Sequence, residues 1–132
     1  MKRLILLLSL LFLTACSADK IPDGFDESAL KIKVEQIVDF INDSKIEETY
    51  LMFRSDIQTM LTFEEFETVI QTKLDQVGEF KKISQIAITE TKDPDTSEVY
   101  AVTIVVCEHE EGKTTYTLSF NDKLEMVGFY IK

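Results

Sequence analysis

Tryptophan is absent from this 132-residue chain; histidine occurs once, cysteine and proline twice each, and glycine four times. Each shortage excludes something. Two cysteines cannot build a disulfide framework, so cohesion must come from a packed core, which nine Phe and four Tyr among many Ile, Val and Leu can supply. One histidine cannot complete a multi-histidine metal site, and there is no glycine-rich phosphate loop, nucleophile elbow or paired-cysteine metal motif. Basic residues are the minority, 14 Lys and Arg against 24 Asp and Glu, for a net charge of −10. Such a surface repels phosphate backbones and anionic headgroups, which argues against nucleic acid and against an electrostatic membrane contact. A spanning helix needs roughly 20 apolar residues, and the apolar run from Leu4 to Leu13 is about half that.

That run still has a use. Lys2 and Arg3 precede it and Leu13-Thr14-Ala15-Cys16 closes it, so a positive start, an apolar stretch and small residues before a cysteine read as an export signal. It resembles bacterial lipoprotein signals, in which the cysteine sulfur takes a diacylglyceryl group and cleavage just before it leaves the cysteine as the new N-terminus. The resemblance implies a signal peptide at 1–15, lipidation at Cys16 with acyl chains such as palmitate, and a domain anchored at the extracytoplasmic face of a bacterial cell membrane. Removing residues 1–15 takes away Lys2 and Arg3 and no acid, leaving 117 residues with 12 basic against 24 acidic side chains, a net −12. That length suits one domain and has no room for a second. Residues 16–24, polar and interrupted by Pro22 and Gly24, read as a tether, and 25–132 as a single domain. With Cys16 lipidated, Cys107 has no partner for a disulfide. The acidity serves solubility or selects a cationic partner, such as a basic peptide or protein at the cell surface.

The domain opens with a helix. Asp26 is a good N-cap, Phe25 and Leu30 form a staple, and Leu30, Val34, Ile37, Val38 and Ile41 make one apolar stripe. Ser44-x-x-Glu47 reads as a capping box for a shorter helix carrying Ile46, Tyr50 and Phe53 inward, broken at Arg54-Ser55-Asp56. Thr62 and Glu65 form the clearest box in the chain, with Leu61 and Phe66 as its staple. Phe66, Val69, Ile70, Leu74 and Val77 follow as the buried stripe, and Gly78 stands where a C′ residue of positive φ is wanted.

After Gly78 the period changes to two. Ile86 and Ile88 alternate with polar residues, Asp93-Pro94-Asp95 turns the chain, and Tyr100 to Cys107 is a strand. A two-residue loop at Glu111-Gly112 would oppose Val106 to Thr117 and mix the faces. A three-residue loop, Glu110-Glu111-Gly112, pairs Val106 with Tyr116, Ile104 with Leu118 and Val102 with Phe120. This second register predicts Gly112 in a left-handed turn position and puts Cys107 and His109 on the outer side, beside Thr115 and Thr117. The last strand, Leu124 to Ile131, is apolar on both faces, through Leu124, Met126 and Tyr130 or through Val127, Phe129 and Ile131.

The expected architecture is α+β, with three N-terminal helices packed on one face of a curved four-stranded antiparallel sheet. Phe40-Ile41-Asn42-Asp43, Met60 to Phe66, Gly78 to Ile83, Glu111 to Phe120 and Leu124 to Ile131 resemble a bacterial family of uncharacterised lipoprotein domains. That family is grouped with cone-shaped folds similar to nuclear transport factor 2 and cystatin. The resemblance implies such a cone and, from related domains fused to hydrolases and peptidases, an accessory role; it implies no catalytic residue.

Residues that could carry chemistry are few. Cys107-x-His109-x-Glu111 could offer a soft metal-ligand pair or a reactive thiol, but a lone trio running into a turn is weak evidence, so no metal or cofactor is assigned. Asp93 to Glu98 is dense in oxygen yet lacks the glycine and ligand ladder of a calcium loop, and reads as an acidic turn. Tyr50, Tyr100, Tyr116 and Asp39 could point into the mouth of the cone, where enzymes of that fold place general acids and bases; the plainer reading is core tyrosines whose hydroxyls reach the rim. The reading that follows is a lipid-anchored, non-enzymatic binding or accessory domain. Its ligand would be a small apolar molecule, a peptide or a cationic protein, and a homodimer through the sheet is open to it. The alternatives are a small enzyme using His109 or Asp39, and an inhibitor or immunity-type protein acting on a basic target.

Overall fold

The computed structural model describes residues 19–132, so the expected export signal and Cys16 lie outside the described residues. Four helices precede the sheet: α1 (Glu27–Asn42), α2 (Ile46–Tyr50), α3 (Ser55–Met60) and α4 (Phe63–Val77). Four strands follow, β1 (Phe80–Lys92), β2 (Val99–His109), β3 (Gly112–Phe120) and β4 (Met126–Ile131), in the antiparallel order β1-β2-β3-β4. The α+β class is as expected, with one helix more. Segment 55–60 has no side-chain N-cap and no buried residue, so nothing in its pattern announces α3.

Local signals place α1 and α4. Asp26 accepts from the Ala29 amide at 2.8 Å, and Leu30, Val34, Ile37, Val38 and Ile41 are all buried. At α4, Thr62 Oγ1 accepts from the Glu65 amide while Glu65 Oε2 accepts from the Thr62 amide, closing the capping box. Phe66, Ile70 and Val77 are buried, but Val69 is 55% exposed, contrary to its place in the expected stripe. The box expected at Ser44 does not form. Ser44 has φ 61°, Lys45 is the N-cap of α2, and no side chain caps it. A residue of positive φ turns the chain tightly after α1, which leaves Ser44 outside the N-cap geometry. Inward, Ile46 and Phe53 are buried as expected.

The hairpin between β2 and β3 corrects the expected register. His109 faces Gly112 across a two-residue turn, Glu110-Glu111, so Val105 opposes Tyr116, Thr103 opposes Leu118 and Ala101 opposes Phe120. The inner face of β2 is therefore Ala101, Thr103, Val105, Cys107 and His109, all buried; Val102, Ile104 and Val106 lie on the outer face, with Ile104 37% exposed. Gly112 is not among the positive-φ glycines. The physical reason lies outside the hairpin: the Glu110 and Glu111 amides donate to the carbonyls of Glu79 and Val77, so the end of α4 sets the turn.

Bulges complete the sheet. β1 slips register twice against β2, which brings Phe80, Ile83, Ile86 and Ile88 onto the inner face opposite His109, Cys107, Val105 and Thr103. β4 slips at Val127, so Met126 pairs with Phe120 while Phe129 and Ile131 pair with Leu118 and Tyr116. Both apolar sets of the last strand are thus used, one on each side of the bulge. The strand begins at Met126 rather than at Leu124, whose φ is 59°. At the other edge Lys20 N donates to Ile88 O, Ile88 N donates to Asp19 Oδ1, and Lys20 pairs with Glu90. Residues 19–22, with Pro22 buried, belong to the folded body rather than to a tether. Among the described residues no helix is long and apolar enough to cross a membrane.

Candidate functional site

The residues singled out for their chemistry are dispersed, and most are structural. His109 is 4% exposed and sits where α4 ends. Its Nδ1 lies 3.0 Å from the carbonyl of Gly78, which can only accept, so Nδ1 carries the proton; Nε2, 3.0 Å from Thr114 Oγ1, accepts the hydroxyl proton in the neutral ring. Phe80 meets the ring edge-on at 5.7 Å. The imidazole joins the α4–β1 connection to the hairpin. Gly78 holds φ 74° and ψ −160°, a conformation open essentially to glycine alone. This clamp occupies both ring nitrogens, which leaves neither for a ligand.

Cys107 and Tyr116 lie beside the clamp, fully buried, on the inner face and not on the outer one expected for Cys107. Burial pushes the Cys107 thiol up to about 11, an effect that Thr114 only partly offsets, so the thiol stays protonated and unreactive at neutral pH. Burial likewise drives the Tyr116 hydroxyl far above its usual range, and that hydroxyl has no hydrogen-bond partner among the described residues. Asp39 is exposed on α1 while His109 is buried and bonded to Gly78 and Thr114, so the two candidates for acid–base work are not hydrogen-bonded to each other. Tyr100 donates to Glu98 at 2.9 Å, and Arg54 reaches both Glu98 and Asp56. Asp93 spends its Oδ1 on the amides of Asp95 and Thr96, which holds its carboxyl below the usual range and closes an acidic turn. Among the described residues no cluster of three or more His, Cys, Asp or Glu could hold a metal ion.

Tyr50 leads to a different place. Its hydroxyl donates to the Leu61 carbonyl at 2.7 Å, and its ring packs on Phe53, Phe63 and Phe66. Phe53 and Phe66 in turn meet Phe129 edge-on, at 6.4 and 4.8 Å. This aromatic floor supports a cleft of about 290 Å³ between α3, the first half of α4 and β4, lined by Phe53, Ile57, Leu61, Glu65, Phe66, Val69, Gly128 and Phe129. One wall residue, Glu65, is charged; the rest are apolar, which is the character of a pocket for an apolar group. A larger hollow of about 590 Å³ by Asn42, Asp75, Glu79 and Phe80 is wide and rimmed by carboxylates. Sequence reasoning missed the cleft because its walls are ordinary apolar residues. The signal available was the breadth of the α4 stripe: Phe66, Val69, Ile70 and Leu74 span more of the helix than one sheet contact covers.

Residues 34–129, from the middle of α1 to Phe129 in β4, match the family described as a protein of unknown function, DUF3887. The chain belongs to that family. The match takes in both the His109 clamp and the cleft. Among solved structures, the NMR structure of a protein from Ruminococcus gnavus ATCC 29149 is similar over 85% of this chain and 96% of that one, with a TM-score of 0.69 and 23% identity. That likeness is one of fold. No curated protein matches the chain.

Proposed function

We propose that this DUF3887 domain is a lipid-anchored, extracytoplasmic binding or accessory module that uses the cleft between α3, α4 and β4 to hold an apolar group, and that it is not an enzyme. The cleft carries this reading. Ile57, Leu61, Val69 and Phe129 present apolar surface that the fold leaves partly open above the buried rings of Phe53 and Phe66, and Val69 is 55% exposed where packing on the sheet would have buried it. The anchor rests on the Leu13-Thr14-Ala15-Cys16 lipobox and the apolar run before it.

Two measurements test the reading. Cys16→Ser should abolish incorporation of labelled palmitate and release the protein from the membrane fraction; unchanged membrane retention would remove the anchor from the reading. The full chain in detergent micelles should enhance Nile red fluorescence above micelles alone, and Val69→Asp should abolish the difference, because a carboxylate in the cleft wall opposes entry of an apolar dye. An equal signal from parent and variant would mean that the cleft is not the binding site.

A further inference from the structure

Beside the cleft runs the free edge of β4, and its backbone has a definite polarity. Thr115 and Lys132 exchange both backbone hydrogen bonds, at 3.0 Å each, which makes them a hydrogen-bonded pair of the antiparallel ladder. By alternation, Tyr130 and Gly128 also bond to β3, while the N–H and C=O groups of Ile131 and Phe129 point away from it. Among the described residues these groups have no hydrogen-bond partner. Earlier on the same edge the partner is present. Met126 N donates to Met52 O and Arg54 N donates to Met126 O, so residues 52–54 lie along β4 as the start of a parallel strand. At Ser55 the chain leaves the edge as α3, and α3 forms a wall of the cleft.

The geometry points to strand addition, in a form that rests on the binding-module reading. We propose that an extended segment of another protein continues the sheet along Phe129 and Ile131, with an apolar side chain in the cleft and Lys or Arg on either side of it. Unpaired backbone donors and acceptors in a row are satisfied by an extended backbone, and alternate side chains of an added strand face the helices, where Val69 and Leu61 wait. Charge selects the flanks. Glu65 lines the cleft, Glu64 precedes it in the first turn of α4, and the chain carries a net −10. A second copy at this edge would bring the same negative charge, which opposes it; a basic segment is attracted.

The test uses the full chain in detergent micelles and a fluorescent, capped seven-residue peptide, with leucine at the centre, valine and threonine around it and lysine at both ends, read by anisotropy. Binding should be about tenfold tighter than for the same peptide ended by glutamate, with the gap shrinking toward about twofold in 0.5 M salt. Val69→Asp, an exposed position that leaves folding intact, should weaken binding by at least about tenfold. N-methylation of alternate peptide residues removes the donors on one edge of the strand. Of the two N-methylated versions, one should lose at least about tenfold and the other little, because one edge of the peptide faces β4. Equal affinity for both versions would overturn strand addition. Nile red entering the cleft with no peptide bound would overturn it too, and leave the binding module standing. If neither dye nor peptide binds, both readings fall. A dimer in sedimentation that Val69→Asp dissociates would replace the peptide by a second copy.

Discussion

The two ends of α4 do opposite things. At its C-terminal end the Val77 and Glu79 carbonyls accept from the amides of the β2–β3 turn, Gly78 O accepts from His109 Nδ1, and Val77 packs against Gly112, which closes helix and hairpin on each other; the hollow outside them, by Asp75, Glu79 and Phe80, is wide and rimmed by carboxylates. At its N-terminal end the helix is capped as firmly, and Phe66 packs edge-on against Phe129 of β4, yet Val69 stays exposed and a cleft of about 290 Å³ remains beside it. The lesson concerns which residues carry function. His109 and Cys107 attract attention by their chemistry, but here they are built into the closed end, while ordinary apolar side chains form the open one. Polar groups satisfied by their own fold have nothing left to offer a ligand.

If the closed end is structural, breaking it should cost the most. His109→Ala removes a buried ring with two hydrogen bonds and strands Gly78 O and Thr114 Oγ1; we expect a loss of about 3 kcal/mol in chemical denaturation. A loss under about 0.5 kcal/mol would erase the contrast. Gly112→Val comes next, at about 1–2 kcal/mol, for a reason other than turn strain: a Cβ there would stand 3.2 Å from Val77 Cγ1. A double-mutant cycle with Val77→Ala should therefore show a favourable coupling near 1 kcal/mol, and no coupling would return the cost to the backbone. At the open end Thr62→Ala should cost about 1 kcal/mol by removing one half of the capping box, checked by the same denaturation midpoint. The smallest stability effect belongs to Val69→Asp, within about 0.5 kcal/mol of the parent, even as Nile red uptake disappears. A large loss of stability there would mean that the cleft wall is part of the core.

Much of this was legible in the chain. The five-residue stripe of α1, the Thr62–Glu65 box, the glycine after α4 and the change of period at Gly78 all read directly, because each depends on neighbours within one helical turn or on alternation along one strand. The candidate site was not legible. Val69 reads as core by its spacing, and only the packing of α3 and β4 around the first half of α4 makes it a wall. Ile57 sits in a helix with no cap, and Gly128 and Phe129 belong to a strand whose inward face depends on the bulge at Val127.

The hairpin shows the boundary most sharply. Its strands and its turn region follow from the sequence, and so do the α+β class and the order of helices before strands, whereas the left-handed place expected for Gly112 does not. The register did not follow, since two loop lengths segregate or mix the faces by one residue and pattern alone chose the wrong one. What decided it were the carbonyls of Val77 and Glu79, roughly thirty residues earlier in the chain, which bond the Glu111 and Glu110 amides and so turn Cys107 and His109 inward. Cap, stripe and alternation are short-range and therefore written in the sequence. Register, the burial of His109 and the gap beside β4 are set by groups that meet only once the helices have packed on the sheet.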